Sequence, residues 1–152
     1  MASFKDEIKT DRFENEQQML VLNIIYTADW LEQKLAKVLG RHKLTHPQFN
    51  IMMMLRLSFD KPLSVNEIKE RVLFKQTDVS RMIDRLVEKG YISRELCPDN
   101  RRKMDVRISR TGINLLKKVR PEIREEFESF FKEKITEEEA LAAIRIIDKM
   151  RS

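Results

Sequence analysis

A single cysteine, three glycines and four prolines are all that this 152-residue chain has of the residues that staple, bend or break a backbone. One cysteine, Cys97, excludes a disulfide within the chain. So few glycines and prolines leave little material for the many turns of a sandwich or barrel. No apolar run approaches the ~18 residues of a membrane span. The opening Met1-Ala2-Ser3-Phe4-Lys5-Asp6-Glu7 lacks the charged-then-apolar pattern of a secretory leader, so a cytoplasmic location is expected. There is also no phosphate loop, HExxH helix or nucleophile motif. His42 and His46 stand without a cysteine or carboxylate motif at metal-ligand spacing, and a surface or capping role suits them better. Glu125-Glu126 and Glu137-Glu138-Glu139 read as solvated helix face and as complement to a helix dipole. No enzyme, cofactor or metal is expected.

What the chain does have is helix and charge. A 41% hydrophobic, 36% charged composition suits one domain, 1–152, built on helices with solvated faces. Leu20, Ile24, Leu31, Leu35 and Val38 recur at helical spacing from about Asp11, read as the cap, to Leu39, with Gly40 at the left-handed end. Thr45 and Gln48 form a capping box before Phe49–Leu57, a segment apolar nearly all round and so expected to be buried. Ser64 and Glu67 form another, opening a short helix through Val72. The next helix runs from Lys75 to Lys89 and is closed by Gly90. Two short helices across a tight turn make a helix-turn-helix. Tyr91–Cys97 and Met104–Ile108 read as strands around a charged tip, residues 98–103, and so form a wing. Long helices follow from about Arg110 to Phe131 and, opened by a last capping box at Thr136–Glu139, from Thr136 to the C-terminus. The expected fold is mostly α with a small β wing. A winged helix-turn-helix (about 45–109) joins a helical lobe from the terminal helices (about 11–39 and 110–151). Apolar faces on those helices call for a partner chain, most simply a twofold homodimer.

The charge is local. Lys75–Arg110 holds ten Lys/Arg against six Asp/Glu, a net of +4 in a chain of net +5, while residues 1–46 and 111–152 each sum to zero. Such an excess suits phosphate and makes double-stranded DNA the first partner to consider. Within the helix, Val79, Met82, Ile83, Leu86 and Val87 form a core stripe. Thr77, Ser80, Arg81 and Asp84 share the opposite face, with Lys75 and Gln76 at its start and Arg85 near its end. Arg suits guanine, Gln suits adenine, and hydroxyls suit phosphate or a base. A solvated helix face is the competing reading, and the adjacent wing argues against it. Asp84 and Glu88 read as partners of Arg81, Arg85 or Lys89. Arg101, Arg102 and Lys103 at a hairpin tip suit phosphates or a narrow minor groove. A charged turn that keeps a hairpin soluble competes with this.

These residues carry a resemblance. Val65–Val72, Val79–Ile92 and Arg101–Gly112 resemble the MarR family of bacterial winged-helix transcription regulators, with Val79–Gly112 the specific part. The resemblance implies a homodimer built on the first and last two helices, a recognition helix in the major groove and a wing in the minor groove. The family's wing has an Asp-x-Arg pair, whose Arg enters the minor groove and whose Asp braces the wing. The matching positions are Asn100 and Arg102, so Arg102 takes that role, and Asn100 stands where the acid would be, beside Asp99. The family often starts its recognition helix with Ser, where this chain has Lys75. Many members release DNA when a small phenolic or amphipathic ligand binds. Tyr26, Trp30, His46, Met53 and Met54 are the candidates for such a pocket, and core packing is the favoured alternative for them. A peroxide-sensing cysteine near the N-terminus is absent, and Cys97 reads better as an inert thiol than as a reactive one. The expected function is that of a sequence-specific regulator, a repressor, binding an inverted repeat. The alternatives are a module that docks an acidic protein through the same basic face and, less favoured, a ligand-sequestering dimer.

Overall fold

The computed structural model describes residues 3–75 and 78–152, without the side chains of residues 101, 102 and 128–130. Seven helices and three strands follow in order: α1 (Phe4–Ile8), α2 (Glu16–Arg41), α3 (His46–Leu57), β1 (Leu63–Ser64), α4 (Val65–Arg71), α5 (Val79–Glu88), β2 (Ile92–Cys97), β3 (Asn100–Ile108), α6 (Arg110–Lys132) and α7 (Glu137–Lys149). The capping boxes expected at Thr45, Ser64 and Thr136 all form. Each satisfies two backbone donors that would otherwise be orphaned at a helix start.

α2 begins later than expected. Asn15, not Asp11, is its cap, with the Asn15 carboxamide accepting from Gln18 N–H at 2.8 Å. The residues ahead of it serve another purpose. Ser3 and Asp6 cap the short α1, and the Phe4 ring meets Phe13 at 6.0 Å and Tyr26 at 5.7 Å, folding the N-terminus back onto α2.

Gly40 does not terminate α2. It lies inside the helix, and Lys43 takes the left-handed conformation with φ 54°. Lys43 N–H donates to Gly40 O and Leu44 N–H to Leu39 O, the pair of bonds of a Schellman turn. The reason is burial. Ending three residues later seats Leu44, 4% exposed, in the same core as Leu39, 0% exposed. That contact and the two bonds offset the ~1–2 kcal/mol that a left-handed L-residue costs.

The core lies within the winged helix. Ile51, Met52 and Leu55 of α3, Ile68 of α4, Val79, Ile83 and Leu86 of α5, Val106 of β3 and Leu116 and Val119 of α6 are buried together. Leu57, expected to be buried with the rest of α3, is instead 81% exposed, because as the last residue of the helix it lies off the face that carries Leu55 into the core. The sheet has strand order β1-β3-β2 and is antiparallel throughout. β1, which has only two residues and no alternation to betray it, was not apparent in the sequence. It pairs Leu63 with Val106 and Ser64 with Asp105.

A small knot ties three elements together. Ser109 caps α6, accepting from Gly112 N–H at 3.0 Å. Its hydroxyl donates to Gly90 O at 2.6 Å, and its N–H donates to Tyr91 O at 3.0 Å. Gly90 turns the chain out of α5 with φ 70°. A Cβ on Gly112 would lie 2.2 Å from Tyr91 O, so only glycine fits there.

Two opposite outcomes in urea unfolding follow. Lys43→Gly raises stability by about 0.5–1 kcal/mol, because glycine carries no left-handed penalty but more unfolded-state freedom. Gly112→Ala lowers stability by about 1–3 kcal/mol through steric overpacking, although alanine is otherwise the better helix former.

Candidate nucleic-acid interface

The exposed face of α5 is built by burying the other one. Val79, Ile83 and Leu86 are 3%, 0% and 0% exposed, which turns Ser80, Arg81, Asp84 and Arg85 outward. Met82 is half-buried, and Val87 is 37% exposed at the edge of the stripe. The helix is shorter than expected. Asp78 caps it by accepting from Arg81 N–H at 3.1 Å, so α5 starts at Val79 and Lys75 stands outside it. Lys75 Nζ turns back to donate to Glu70 O at 2.5 Å. Asn50 Oδ1 accepts from Leu73 N–H at 3.1 Å, which fixes the turn between α4 and α5 to α3. Gln76 and Thr77 lie outside the described residues.

The wing is not the simple tip that alternation predicts. β2 and β3 pair regularly from Ile92 opposite Ile108 to Leu96 opposite Met104, and then Cys97 faces Asn100. Residues 101–103 therefore have no counterpart on β2. Arg101, Arg102 and Lys103 form a three-residue bulge that carries three consecutive cations at the far end of β3. The Arg101 and Arg102 side chains lie outside the described residues, and Lys103 is exposed. Asn100 is the exposed first residue of β3. Cys97 is a half-buried free thiol at the register shift.

Wing and helix are linked by charge. Asp84 does not pair with a cation of its own helix; Arg94 of β2 donates to it at 2.8 Å. The sequence could not supply this pairing, because the partners meet only when β2 folds back along α5. At the base of α4, the Ser64 backbone N–H and then its hydroxyl hold the Glu67 carboxyl below its usual range.

The five candidate pocket residues do not share one site. Tyr26 and Trp30 line an open cavity of about 310 Å³ with Glu7, Asn23 and Thr27. Met53 and Met54 pack against the core. His46 Nδ1 lies 2.5 Å from Glu32 of α2, and its ring meets Phe74 edge-on at 4.6 Å. His42 Nε2 lies 2.8 Å from Glu122 of α6, which also accepts from Arg41 at 3.3 Å. These contacts, led by the hydrogen bond from His42, hold the Glu122 carboxyl below its usual range. Both histidines join helices together, a role that their spacing in the sequence does not reveal. Among the described residues no group of three metal-ligating side chains occurs, and no helix is long and apolar enough to cross a membrane.

A short helix tied to a second by a tight turn, presenting Ser and Arg outward beside a cation-bearing β-hairpin, defines a winged helix-turn-helix protein. Residues 44–104 match the model of the MarR family. An uncharacterised HTH-type transcriptional regulator of Bacillus cereus is 27% identical over 132 residues, 87% of this chain and 86% of that relative. The crystal structure of a MarR transcription factor from Planctomyces limnophilus is similar with TM-score 0.68 and 26% identity, over 92% of this chain and 96% of that one. A MarR family regulator from Streptomyces coelicolor, solved in complex with DNA, is similar with TM-score 0.80 and 21% identity, over 92% and 89% of the two chains. Residues 44–104 thus carry a MarR family domain, and the chain is a DNA-binding transcriptional regulator of this winged-helix type.

The Asp84–Arg94 pair orients more than it stabilises. Both side chains are about half exposed, at 53% and 40%. A double-mutant cycle on Asp84→Ala and Arg94→Ala, read by thermal unfolding, gives a coupling of about 0–1 kcal/mol. A larger value would mean that the pair holds the wing in place.

Proposed function

We propose that the protein is a cytoplasmic, homodimeric, sequence-specific repressor that binds an inverted repeat and acts by binding alone, without catalysis of its own. The observation that carries this reading is the pairing of an outward Ser80–Arg81–Asp84–Arg85 face with a three-cation bulge on the neighbouring hairpin. The helix suits a major groove, where Arg81 reads a base and Ser80 a phosphate. The bulge suits the flanking minor groove, with Arg102 as the inserted side chain and Arg101 and Lys103 on phosphates. Lys75, Gln76, Thr77, Arg85 and Asn100 complete the proposed contact set.

Dimerisation is supported by uncovered apolar surface on the terminal helices. Leu20, Val21, Leu22 and Ile25 of α2 are 41–61% exposed, as are Leu141, Ile144 and Ile146 of α7 at 50–53%. A second copy covers such faces by twofold symmetry and sets two recognition helices about 34–36 Å apart, one turn of duplex. The cavity beside Tyr26 and Trp30 supports a small amphipathic or phenolic ligand as the release signal.

Selection from random duplex DNA tests the reading. It is expected to enrich a palindrome with half-sites one helical turn apart, and salt-sensitive retention without any palindrome would sink it. On the selected operator, Arg81→Ala costs about 1–3 kcal/mol and relaxes sequence choice. Arg102→Ala instead weakens all sequences and lowers the salt slope by about 1. Filter binding across a salt series separates the two.

A further inference from the structure

Away from the DNA-facing side of α5 and from the apolar faces of α2 and α7, the turn between α3 and β1 carries a second exposed apolar feature. Leu57 is 81% and Phe59 57% exposed. The turn itself is well fixed. Ser58 N–H donates to Met54 O and Lys61 N–H to Ser58 O, both at 3.0 Å, and Leu63 then enters the sheet opposite Val106. The Arg56 guanidinium lies 5.8 Å from the Phe59 ring centroid. Beside Phe59 lies a cavity of about 300 Å³ lined by Leu55, Ser58, Phe59, Lys61, Arg107 and Ile108. Leu55 and Ile108 are buried and form an apolar floor.

The rim has one sign. Lys61 and Arg107 line the cavity, Arg56 stands over the ring, and no carboxylate lines it. Arg107 borders the outer sheet face where Glu95 and Asp105 lie, yet neither it nor Lys61 is in an ion pair among the described residues. Lys61 also borders the neighbouring cavity beside Leu57, where Asp60 and Glu67 face Arg71, so the single-signed rim is that of the slot beside Phe59 alone. An exposed aromatic and a leucine beside an apolar slot, ringed by unpaired cations, match a short chain segment with the reverse pattern. That pattern is one or two apolar anchors flanked by Asp or Glu. A phosphodiester backbone would satisfy the cations but offer nothing to Leu57, Phe59 and the slot.

We infer that the α3–β1 turn, with Phe59 and Leu57 as anchors and Arg56, Lys61 and Arg107 as the charged rim, is a docking surface for an acidic amphipathic segment of another protein. The slot holds one side chain. The contact is therefore of the small, transient class, with charge setting partner choice and encounter rate more than lifetime. It does not depend on how the protein reads DNA.

The test is a display selection of random peptides about twelve residues long on the full-length protein. One enriched peptide is then titrated by fluorescence anisotropy. The expected result is enrichment of Asp/Glu with Phe, Trp or Leu. Affinity falls at least about tenfold in Phe59→Ser and again in Arg107→Glu, and weakens with salt. Leu57→Ser, at a site this exposed, keeps the fold intact and also weakens the peptide, and circular dichroism melts check all three variants. No enrichment, enrichment without acidic residues, or undiminished affinity in folded Phe59→Ser overturns the inference. Displacement of the peptide by duplex DNA, with loss of DNA affinity in Phe59→Ser, also overturns it and reassigns the turn to the nucleic acid.

Discussion

The Ser109 hydroxyl is the point on which the geometry of this protein turns. It accepts from Gly112 and donates to Gly90, while its own backbone N–H reaches Tyr91. Three things therefore meet within a few ångströms: the end of α5, the base of the wing and the start of the long helix that leads to the terminal lobe. The absence of a Cβ at Gly112 allows the approach. A shift here would move the reading face of α5, the wing and α6 relative to one another. A protein that reads a duplex groove tolerates little of that, because its contacts depend on rigid geometry.

Around this knot, charge and apolar surface are kept apart. The positive excess sits between Lys75 and Arg110, while the flanking helices are balanced. Balance does not mean inertness there. Lys34–Glu126 and the Arg41–His42–Glu122 group bind α2 to α6. These bridges are partly exposed and contribute little stability each, but they tie α2 to α6 at two points. Uncovered leucines and isoleucines lie on the outer faces of α2 and α7, and the winged helix keeps its own core closed. The protein thus has one self-sufficient module and one lobe whose apolar surface the chain itself leaves uncovered.

The wing shows how a local irregularity can serve recognition. In a regular hairpin, Arg101, Arg102 and Lys103 would alternate between the two faces of the sheet. The bulge opposite the Leu96–Cys97 step takes all three out of the ladder at the end where β2 has nothing left to pair.

Much of this was legible in the residues. Thr45–Gln48, Ser64–Glu67 and Thr136–Glu139 announce helix starts because both capping partners are local. The stripe of Val79, Ile83 and Leu86 announces a buried face because helical period alone places them together. The class of partner follows from where the cations are. Elements whose rationale is distant were not legible. β1 exists only because β3 offers it an edge. Lys43 replaces Gly40 as the left-handed residue because Leu44 has a core to enter. Arg94 reaches Asp84 only after β2 has folded back. Residue order determined the helices, the stripe and the charge, since each depends on neighbours within a few positions. Tertiary structure alone decided where the helices end, which charges pair and how the wing stands to the recognition helix, because those depend on atoms that meet only once the chain has folded.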